Sequence, residues 1–196
     1  MIQGNSGLDI LEPRPPLTQP RASDKTFDMN PPVLQRITTQ YHEVEDRIRL
    51  SGQDTYGRGI VIWLTLRLMQ RLIPSLTQWL EKQYDFTPGA DILLGFAQQA
   101  AKAELKAEAP VHVDEDSTEW VASVLDLAYF DQAVRLTFND SERCTAVMIL
   151  ETKPLRQWLA IVLDVYIKAG WPLDAWPHWM RENTAEARYP LATTVQ

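Results

Sequence analysis

Charged and apolar residues alternate along residues 46–51. Arg47 and Arg49 fall on one side of the segment, and Ile48 and Leu50 fall on the other. This period of two is typical of a strand that is buried on one face only. The segment therefore predicts a strand with a charged face and an apolar face.

The pattern changes in the residues that follow. Residues 52–59 contain three glycines and predict a turn, and residues 60–64 are almost entirely apolar, which predicts a strand covered on both faces. After Thr65, which is suited to cap a helix, apolar residues recur at spacings of three and four as far as Leu80 and predict an amphipathic helix. Pro74 lies inside this pattern. Because proline has no N–H to donate, it predicts a kink or a break and restart of the helix.

The same succession recurs 86 positions later in the chain. Arg49 corresponds to Arg135, and the register continues without a gap to the pair Lys82 and Lys168. The second copy predicts strands at residues 121–130, 133–138 and 145–150 and a helix over residues 154–169 that Thr152 could cap. One interpretation is a duplication, with two β-β-β-α halves joined edge to edge or face to face by a pseudo-twofold. The alternative is that two unrelated β-β-α units look alike once their apolar residues are aligned.

These elements predict an α+β protein made of five segments. They are a proline-rich tail (residues 1–30), a first half that starts with a strand at 33–41 (31–86), a linking helix at 91–109 with an acidic loop (87–117), a second half (118–170) and a tryptophan-rich C-terminal segment and tail (171–196). The N-terminal tail is interpreted as disordered. Alternatively, it is a docking peptide that uses Leu8, Ile10, Leu11 and Leu17.

Composition narrows the class of protein. The 196 residues are 45% hydrophobic and 23% charged, which is ordinary for a globular protein, and the net charge of −7 disfavours polyanionic partners. A single cysteine, Cys144, excludes an internal disulfide and suits a reducing compartment. We see no signal peptide, and no apolar run approaches the roughly 20 residues that a spanning helix needs. We therefore expect a cytoplasmic protein that does not enter the membrane.

No set of residues for catalysis or metal binding can be assembled from the sequence. Cys144 begins an apolar strand and is better explained as a core thiol than as a nucleophile. His42, His112 and His178 are scattered without the spacing of metal ligands. No glycine-rich phosphate-binding motif is present. We therefore expect a protein that is not an enzyme and has no cofactor or metal.

Two groups of residues are candidates for binding a partner. The first is a basic array in the block of residues 45–82, which has six basic and four acidic residues; its members are Arg47, Arg49, Arg58, Arg67 and Arg71. It is either a solvated face with ion pairs, such as Asp46 with Arg67 or Arg71, or a docking patch for an acidic partner or a phosphate backbone. The second group is Trp171, Trp176 and Trp179, which either fold back on the core or form a partner-binding surface.

Paired β-β-β-α modules also resemble, by fold analogy alone, the Whirly, transcription-coactivator and PUR-type modules that bind single strands on a curved sheet. Such binding needs basic and aromatic residues on the exposed sheet face, and Tyr41, Tyr129 and Phe130 could supply the stacking rings. The second copy has few basic residues on its strands, and the net charge opposes this interpretation. Single-stranded nucleic-acid binding is therefore the alternative function.

The residues E-D-R-I-R-L, followed by I-W-L-T-x-R-L-x-x-R-L, resemble a group of uncharacterised proteobacterial proteins. In that group a short E-D-R-x-x-L strand precedes a W-L-T-[R/L]-R-L junction between a strand and a helix. The match covers residues 45–80, under a quarter of the chain, and the group has no assigned activity. The resemblance implies a bacterial origin and adds no chemistry.

Together these observations favour a non-enzymatic, cytoplasmic accessory or adaptor subunit of a bacterial complex. We expect it to act through protein–protein contacts made by its sheet edges, its basic array and its C-terminal tryptophans. Free sheet edges also favour self-association.

Overall fold

The structure is a computed structural model that describes residues 31–84, 87–140 and 144–181. The strands are β1 (Val33–His42), β2 (Arg47–Asp54), β3 (Gly59–Leu64), β4 (Thr118–Val121), β5 (Val124–Tyr129), β6 (Ala133–Asn139) and β7 (Thr145–Glu151). The helices are α1 (Leu66–Lys82), α2 (Ala90–Ala103) and α3 (Thr152–Ala169), and a helical turn follows at 178–181. The tail residues predicted to dock, Leu8, Ile10, Leu11 and Leu17, lie outside the described residues.

All seven strands belong to one sheet, in the order β4-β3-β2-β1-β7-β6-β5. Neighbouring strands are antiparallel except at two places, where β1 pairs with β7 and β3 pairs with β4 in parallel. Strands β4 and β5 stand at opposite ends of this order, yet only Ala122 and Ser123 separate them in the chain. The sheet must therefore curl until its two ends come close together. The predicted α+β class is confirmed.

The sheet contains two three-stranded meanders that pair in matching registers. The first meander is β1-β2-β3, and the second is β5-β6-β7, which β4 precedes in the chain. The facing pairs Ile48–Leu64 and Gln53–Gly59 of β2–β3 lie 86 positions before the pairs Val134–Leu150 and Asn139–Thr145 of β6–β7. The parallel pairs match in the same way. Val33 faces Val147 in one parallel pair, and Glu119 faces Val61 in the other. Glu119 lies 86 positions after Val33, and Val147 lies 86 positions after Val61.

The two meanders differ where their first strands change partner. β1 is continuous and has an irregular register between Leu34 and Arg36. In the second meander the corresponding position is a break between β4 and β5, so the predicted single strand over residues 121–130 is wrong. The physical reason is that the two residues of the break bond to opposite ends of the sheet. The N–H of Ala122 donates to the carbonyl of Trp63 in β3 at 3.0 Å, and the N–H of Ser123 donates to the carbonyl of Asn139 in β6 at 2.9 Å. Beyond the break, Asp126 faces Thr137 as Thr38 faces Ser51, which places β5 88 rather than 86 positions after β1.

Helix α1 runs unbroken through Pro74, so the predicted break is not found. A continuous buried stripe holds the helix to the sheet on both sides of the proline; it consists of Met69, Leu72, Ile73, Leu76 and Leu80. Next to the proline, Thr77 Oγ1 donates to the carbonyl of Ile73 at 3.0 Å. Burial of the stripe thus outweighs the hydrogen bond that Pro74 cannot make.

The predicted helix ends are partly correct. Thr65 caps α1, because its Oγ1 accepts from the N–H of Leu68 at 3.2 Å. Thr152 does not cap α3; it is the first helical residue, and Glu151 takes the cap position without a side-chain hydrogen bond. Helix α2 ends at Ala103, six residues before the predicted end. Among the described helices, none combines the length and the apolar character needed to cross a lipid bilayer.

One apolar core lies between the inner face of the sheet and the helices. It includes Ile48 and Leu50 from β2, the buried stripe of α1 and the buried residues of α3. Residues that alternate with these, such as Arg49 and Ser51, lie on the outer face of the sheet. We call the core-facing side of the sheet its inner face and the opposite side its outer face.

Candidate functional site

A groove opens where β1 leaves its parallel partner. The ladder between β1 and β7 ends after Leu34, and in the described part of the chain no strand is paired with the following residues of β1 on that side. A groove of about 900 Å³ runs along this edge, between β1, the start of α3 and residues 104–110. We call it the larger groove. Its apolar lining includes Ile37, Leu150, Trp158 and Ile161.

Polar contacts fix the walls of the larger groove. Trp158 Nε1 donates to Thr39 Oγ1 at 3.1 Å, which ties α3 to β1. Arg36 Nη2 donates to the carbonyl of Ala109 at 3.1 Å, and Lys153 forms an ion pair with Glu104. The groove therefore combines an apolar floor with a rim that carries both signs of charge, as protein ligand sites commonly do.

A second groove, of about 290 Å³, lies between β5 and α1. We call it the smaller groove. Each of its lining residues corresponds to a residue of the larger groove, 86 positions away on the helix and 88 positions away on the strand. On the helix, Leu68, Arg71, Leu72 and Ser75 correspond to Pro154, Gln157, Trp158 and Ile161; on the strand, Ser123, Val124, Leu125 and Leu127 correspond to Gln35, Arg36, Ile37 and Thr39.

The two grooves differ in what they offer a ligand. Trp158 and Ile161 stand in the larger groove where Leu72 and Ser75 stand in the smaller one. Residues 104–110 add a further wall to the larger groove. The larger groove therefore has more apolar surface to bury against a ligand.

Sequence reasoning did not find these grooves. They arise because each first strand pairs with its parallel neighbour over a short stretch only, and long-range pairing leaves no local pattern in the sequence. The one available signal was the recurrence of the sequence pattern after 86 positions.

The structure does not bring the five arginines of the basic array together. Arg47 and Arg49 are half-buried on the outer face, whereas Arg67 and Arg71 are exposed on α1, which packs against the inner face. Arg58 lies in the turn after β2 and pairs with Asp54 at 2.7 Å. Within the described residues, Arg47 pairs with Glu45 at 3.6 Å, and Arg49 donates to Ser51 Oγ at 3.0 Å.

Asp46 has other partners than the arginines considered from sequence. Its Oδ1 accepts from Trp171 Nε1 at 2.9 Å and from the Tyr41 hydroxyl at 2.8 Å. These two bonds, chiefly the one from Trp171, hold the pKa of Asp46 below its usual value. The bonds replace the expected pairing of Asp46 with Arg67 or Arg71 and join the C-terminal segment to the turn before β2.

The C-terminal tryptophans lie in the core and not on a partner-facing surface. Trp171, Trp176 and Trp179 are 7%, 2% and 5% exposed. Trp171 and Trp176 contact the ring of Tyr166 edge-on, with centroids 5.1 and 5.3 Å away. We therefore do not include these three tryptophans in the candidate site. Their large apolar rings are buried within the fold, which is favourable because it removes apolar area from water.

Trp179 also encloses a buried cation. Its ring lies 5.8 Å from the guanidinium of Arg156, which is 3% exposed, and the ring of Tyr84 lies 5.9 Å from it. Burial lowers the pKa of Arg156. Nη1 and Nη2 of Arg156 have no hydrogen-bond partner among the described residues. The two rings, together with the electrostatic interaction of Arg156 with Tyr84, oppose the effect of burial on this charge.

The rings considered for nucleic-acid stacking do not share a face with the outer-face arginines. Tyr41 faces Ile48, and Tyr129 faces Val134, so both point to the inner side of the sheet. Tyr129 stacks against Trp79 with centroids 6.5 Å apart, and Phe130, 54% exposed, lies in the turn after β5. A single surface with Arg47, Arg49 and these rings is therefore not formed.

Helix α2 exposes an apolar strip. Ile92, Leu93 and Phe96 are 65%, 41% and 63% exposed, while the opposite side of the helix buries Leu94, Gln98 and Ala101. Exposed apolar strips of this kind are common in contact surfaces. The expected self-association stays a prediction, and this strip is one surface that could carry it.

Comparison of the chain with protein-family models, with curated proteins and with solved structures found no significant match.

Proposed function

We propose that this protein is a non-enzymatic adaptor subunit that binds an extended segment of a partner protein in the larger groove. The observation that carries the proposal is the unpaired edge of β1 beside an apolar trough. Extended peptides often bind by adding a strand to such an edge, with their backbone bonded to the sheet and alternate side chains in pockets. The groove's position along residues 35–39 suits this mode of binding.

The size and chemistry of the groove support the same ligand class. Its volume of about 900 Å³ falls within the range of roughly 300–1,000 Å³ found for ligand sites. Ile37 and Ile161 would contact apolar side chains of the ligand, and Lys153 and Glu108 at the rim would contact polar ones. We expect a segment with alternating apolar and polar residues.

We also propose that the chain consists of two copies of one β-β-β-α module. The matching registers of the meanders and of the two parallel pairs support this proposal. So do the corresponding linings of the two grooves. In this account the larger groove is the copy adapted to a partner, because Trp158 and Ile161 enlarge its apolar surface.

A photocrosslinking experiment tests the proposed function. A photoreactive residue replaces Gln157 in the larger groove and, as the matched control, Arg71 at the corresponding position of the smaller groove. Both variants are expressed in cells of the source organism and irradiated. We expect position 157 to give a crosslink to one defined segment of one partner protein, and position 71 to give none.

A second pair of variants separates binding from folding. Ile161→Arg should abolish the crosslink from position 157, and Ser75→Arg, at the corresponding position of the smaller groove, should preserve it. Thermal unfolding of both variants checks that neither has lost its fold. Equal crosslinking from positions 157 and 71, or a crosslink that survives Ile161→Arg, would contradict the proposal.

A deletion of residues 171–196 is not a suitable test of partner binding. It would remove Trp171, Trp176 and Trp179 from the core and would be expected to unfold the protein. Placement in a bacterial cytoplasmic complex remains part of the proposal. Single-stranded nucleic-acid binding has less support, because Tyr41 and Tyr129 do not share the outer face with Arg47 and Arg49.

A further inference from the structure

The outer face of the first meander is covered by a segment of the chain. Residues 105–117 run from the end of α2 to β4, and the N–H of Val111 donates to Thr38 Oγ1 at 2.8 Å. Farther along, Val113 and Ser117 lie against Gly59, where a Cβ would come within 2.9 Å of Ser117 Oγ. The outer-face residue Ser51 is accordingly 3% exposed. We call residues 105–117 the covering segment.

The outer face of the second meander exposes apolar residues. Val124 on β5 and Ile149 on β7 are both 50% exposed, although their strands contribute to the core on their other side. Asp126, which lies on the same face, is also exposed, and one of its oxygens accepts from Asn139 Nδ2 at 2.9 Å. This face therefore offers two apolar side chains and a carboxylate to an occupant.

We propose that residues 19–30 of this chain cover the outer face of the second meander, as the covering segment covers the first. The inference rests on the proposed duplication. Residues 19–30 precede β1 as residues 105–116 precede β4. The entry points also match, because Val33 faces Val147 just as Glu119 faces Val61. Thirty residues precede Pro31, so the chain is long enough to reach this face.

The chemistry of the corresponding positions is complementary. Val111 corresponds to Lys25, and its partner Thr38 corresponds to Asp126 in the paired register. The contact in the first meander is a bond from the backbone N–H of Val111 to the Thr38 hydroxyl. In the proposed arrangement the backbone N–H of Lys25 would meet the carboxylate of Asp126 instead, and the positive charge of the Lys25 side chain would lie near this carboxylate. Val113, which lies against Gly59, corresponds to Phe27, which would then lie against Thr145.

This inference assigns different roles to the two grooves. Residues 104–110 form a wall of the larger groove, and the corresponding residues of the chain are 18–24. Under the proposal, residues 18–24 would lie beside the smaller groove. The N-terminal segment is then an internal ligand of the second meander. It leaves the larger groove as the one that accepts a partner.

Paramagnetic relaxation in the full chain tests the inference. A nitroxide is attached at Thr26→Cys in a Cys144→Ser background; the corresponding residue of the covering segment is His112, whose side chain is exposed. We expect the amide signals of Asp126, Thr137 and Thr145 to lose most of their intensity. The amide signals of Ser51 and Val61, on the other meander, should keep theirs and serve as the internal control.

A charge exchange shows whether the proposed contact is specific. Lys25→Glu should reduce the loss of intensity at Asp126, and Lys25→Glu combined with Asp126→Lys should restore it. Full intensity at all three amides would overturn the inference. A second sample mixes chains that carry only the nitroxide with chains that carry only the isotope label. A full loss of intensity in this mixture would also overturn the inference, because the occupant would then be a second copy. The duplication is tested separately by the strand registers, so the two ideas can fail independently.

Discussion

At the residue scale, Asp54 fixes the turn that joins β2 to β3. Its Oδ1 accepts from the backbone N–H groups of Tyr56 and Arg58, both at 2.9 Å, and its Oδ2 accepts from Arg58 Nε at 2.7 Å. The Asp54 side chain is 1% exposed. Burial alone would raise the pKa of Asp54, but the hydrogen bonds from Arg58 and Tyr56 outweigh it and leave this pKa below its usual value.

Replacing Asp54 with asparagine should lower the free energy of unfolding by about 1–3 kcal/mol at pH 7, as expected for hydrogen bonds to a charged group. Because the folded-state pKa is depressed, this contribution is present above the unfolded-state pKa of about 4 and is lost as the pH falls through the folded-state value. Denaturant unfolding of both proteins between pH 7 and pH 2 measures the difference. Asp174→Asn, at an exposed carboxylate, is the control. A difference that stays constant down to pH 2 would show that the Asp54 charge is not the source of the stability.

The same turn chemistry occurs at the corresponding position of the second meander. Asp140 Oδ1 accepts from the N–H of Cys144 at 2.7 Å, as Asp54 Oδ1 accepts from the N–H of Arg58. The backbone bond that closes each turn is 3.1 Å long, from Asp54 N to Arg58 O and from Asp140 N to Cys144 O. A single residue type at a spacing of 86 thus performs the same structural task twice.

At the scale of elements, α1 shows how packing outweighs local preference. A proline inside a helix leaves the carbonyl four residues earlier, here Gln70, without its usual donor. The buried stripe that includes Leu72 and Leu76 nevertheless keeps the helix continuous. Packing of the buried stripe therefore offsets the destabilisation that Pro74 causes in α1.

Replacing Pro74 with alanine should raise the free energy of unfolding by about 1–3 kcal/mol, because alanine supplies the missing N–H and has the higher helix propensity. Chemical denaturation at a fixed pH measures the change. Pro154→Ala is the matched control, since Pro154 lies in the first turn of α3, where an N–H has no intrahelical acceptor. An unchanged or lower stability of Pro74→Ala would mean that the backbone has adapted to the proline.

Local elements could be predicted well from the sequence because their causes are local. The alternation at residues 46–51, the apolar run at 60–64 and the cap at Thr65 all correspond to observed features. Other features depend on partners far along the chain. The break at Ala122 and the unpaired edge of β1 follow from strand order, which a local pattern does not contain. The site was therefore missed although most of its helices and strands were predicted.

At the scale of the whole molecule, two parallel pairings join the meanders into one sheet. β1 pairs with β7 at one joint, and β3 pairs with β4 at the other, so each meander contributes its third strand to one joint. The head-to-tail arrangement places a groove next to each joint. Both the proposed partner site and the proposed position of residues 19–30 depend on these two joints having the same register.

Interstrand nuclear Overhauser effects at the two joints test this dependence most directly. The account predicts backbone contacts between Val33 and Val147 at one joint and between Glu119 and Val61 at the other, in the full chain in solution. Contacts at both joints in these registers would support the duplicated, curled sheet on which the proposals rest. Absence of contacts at either joint, or a register displaced by one residue, would contradict it.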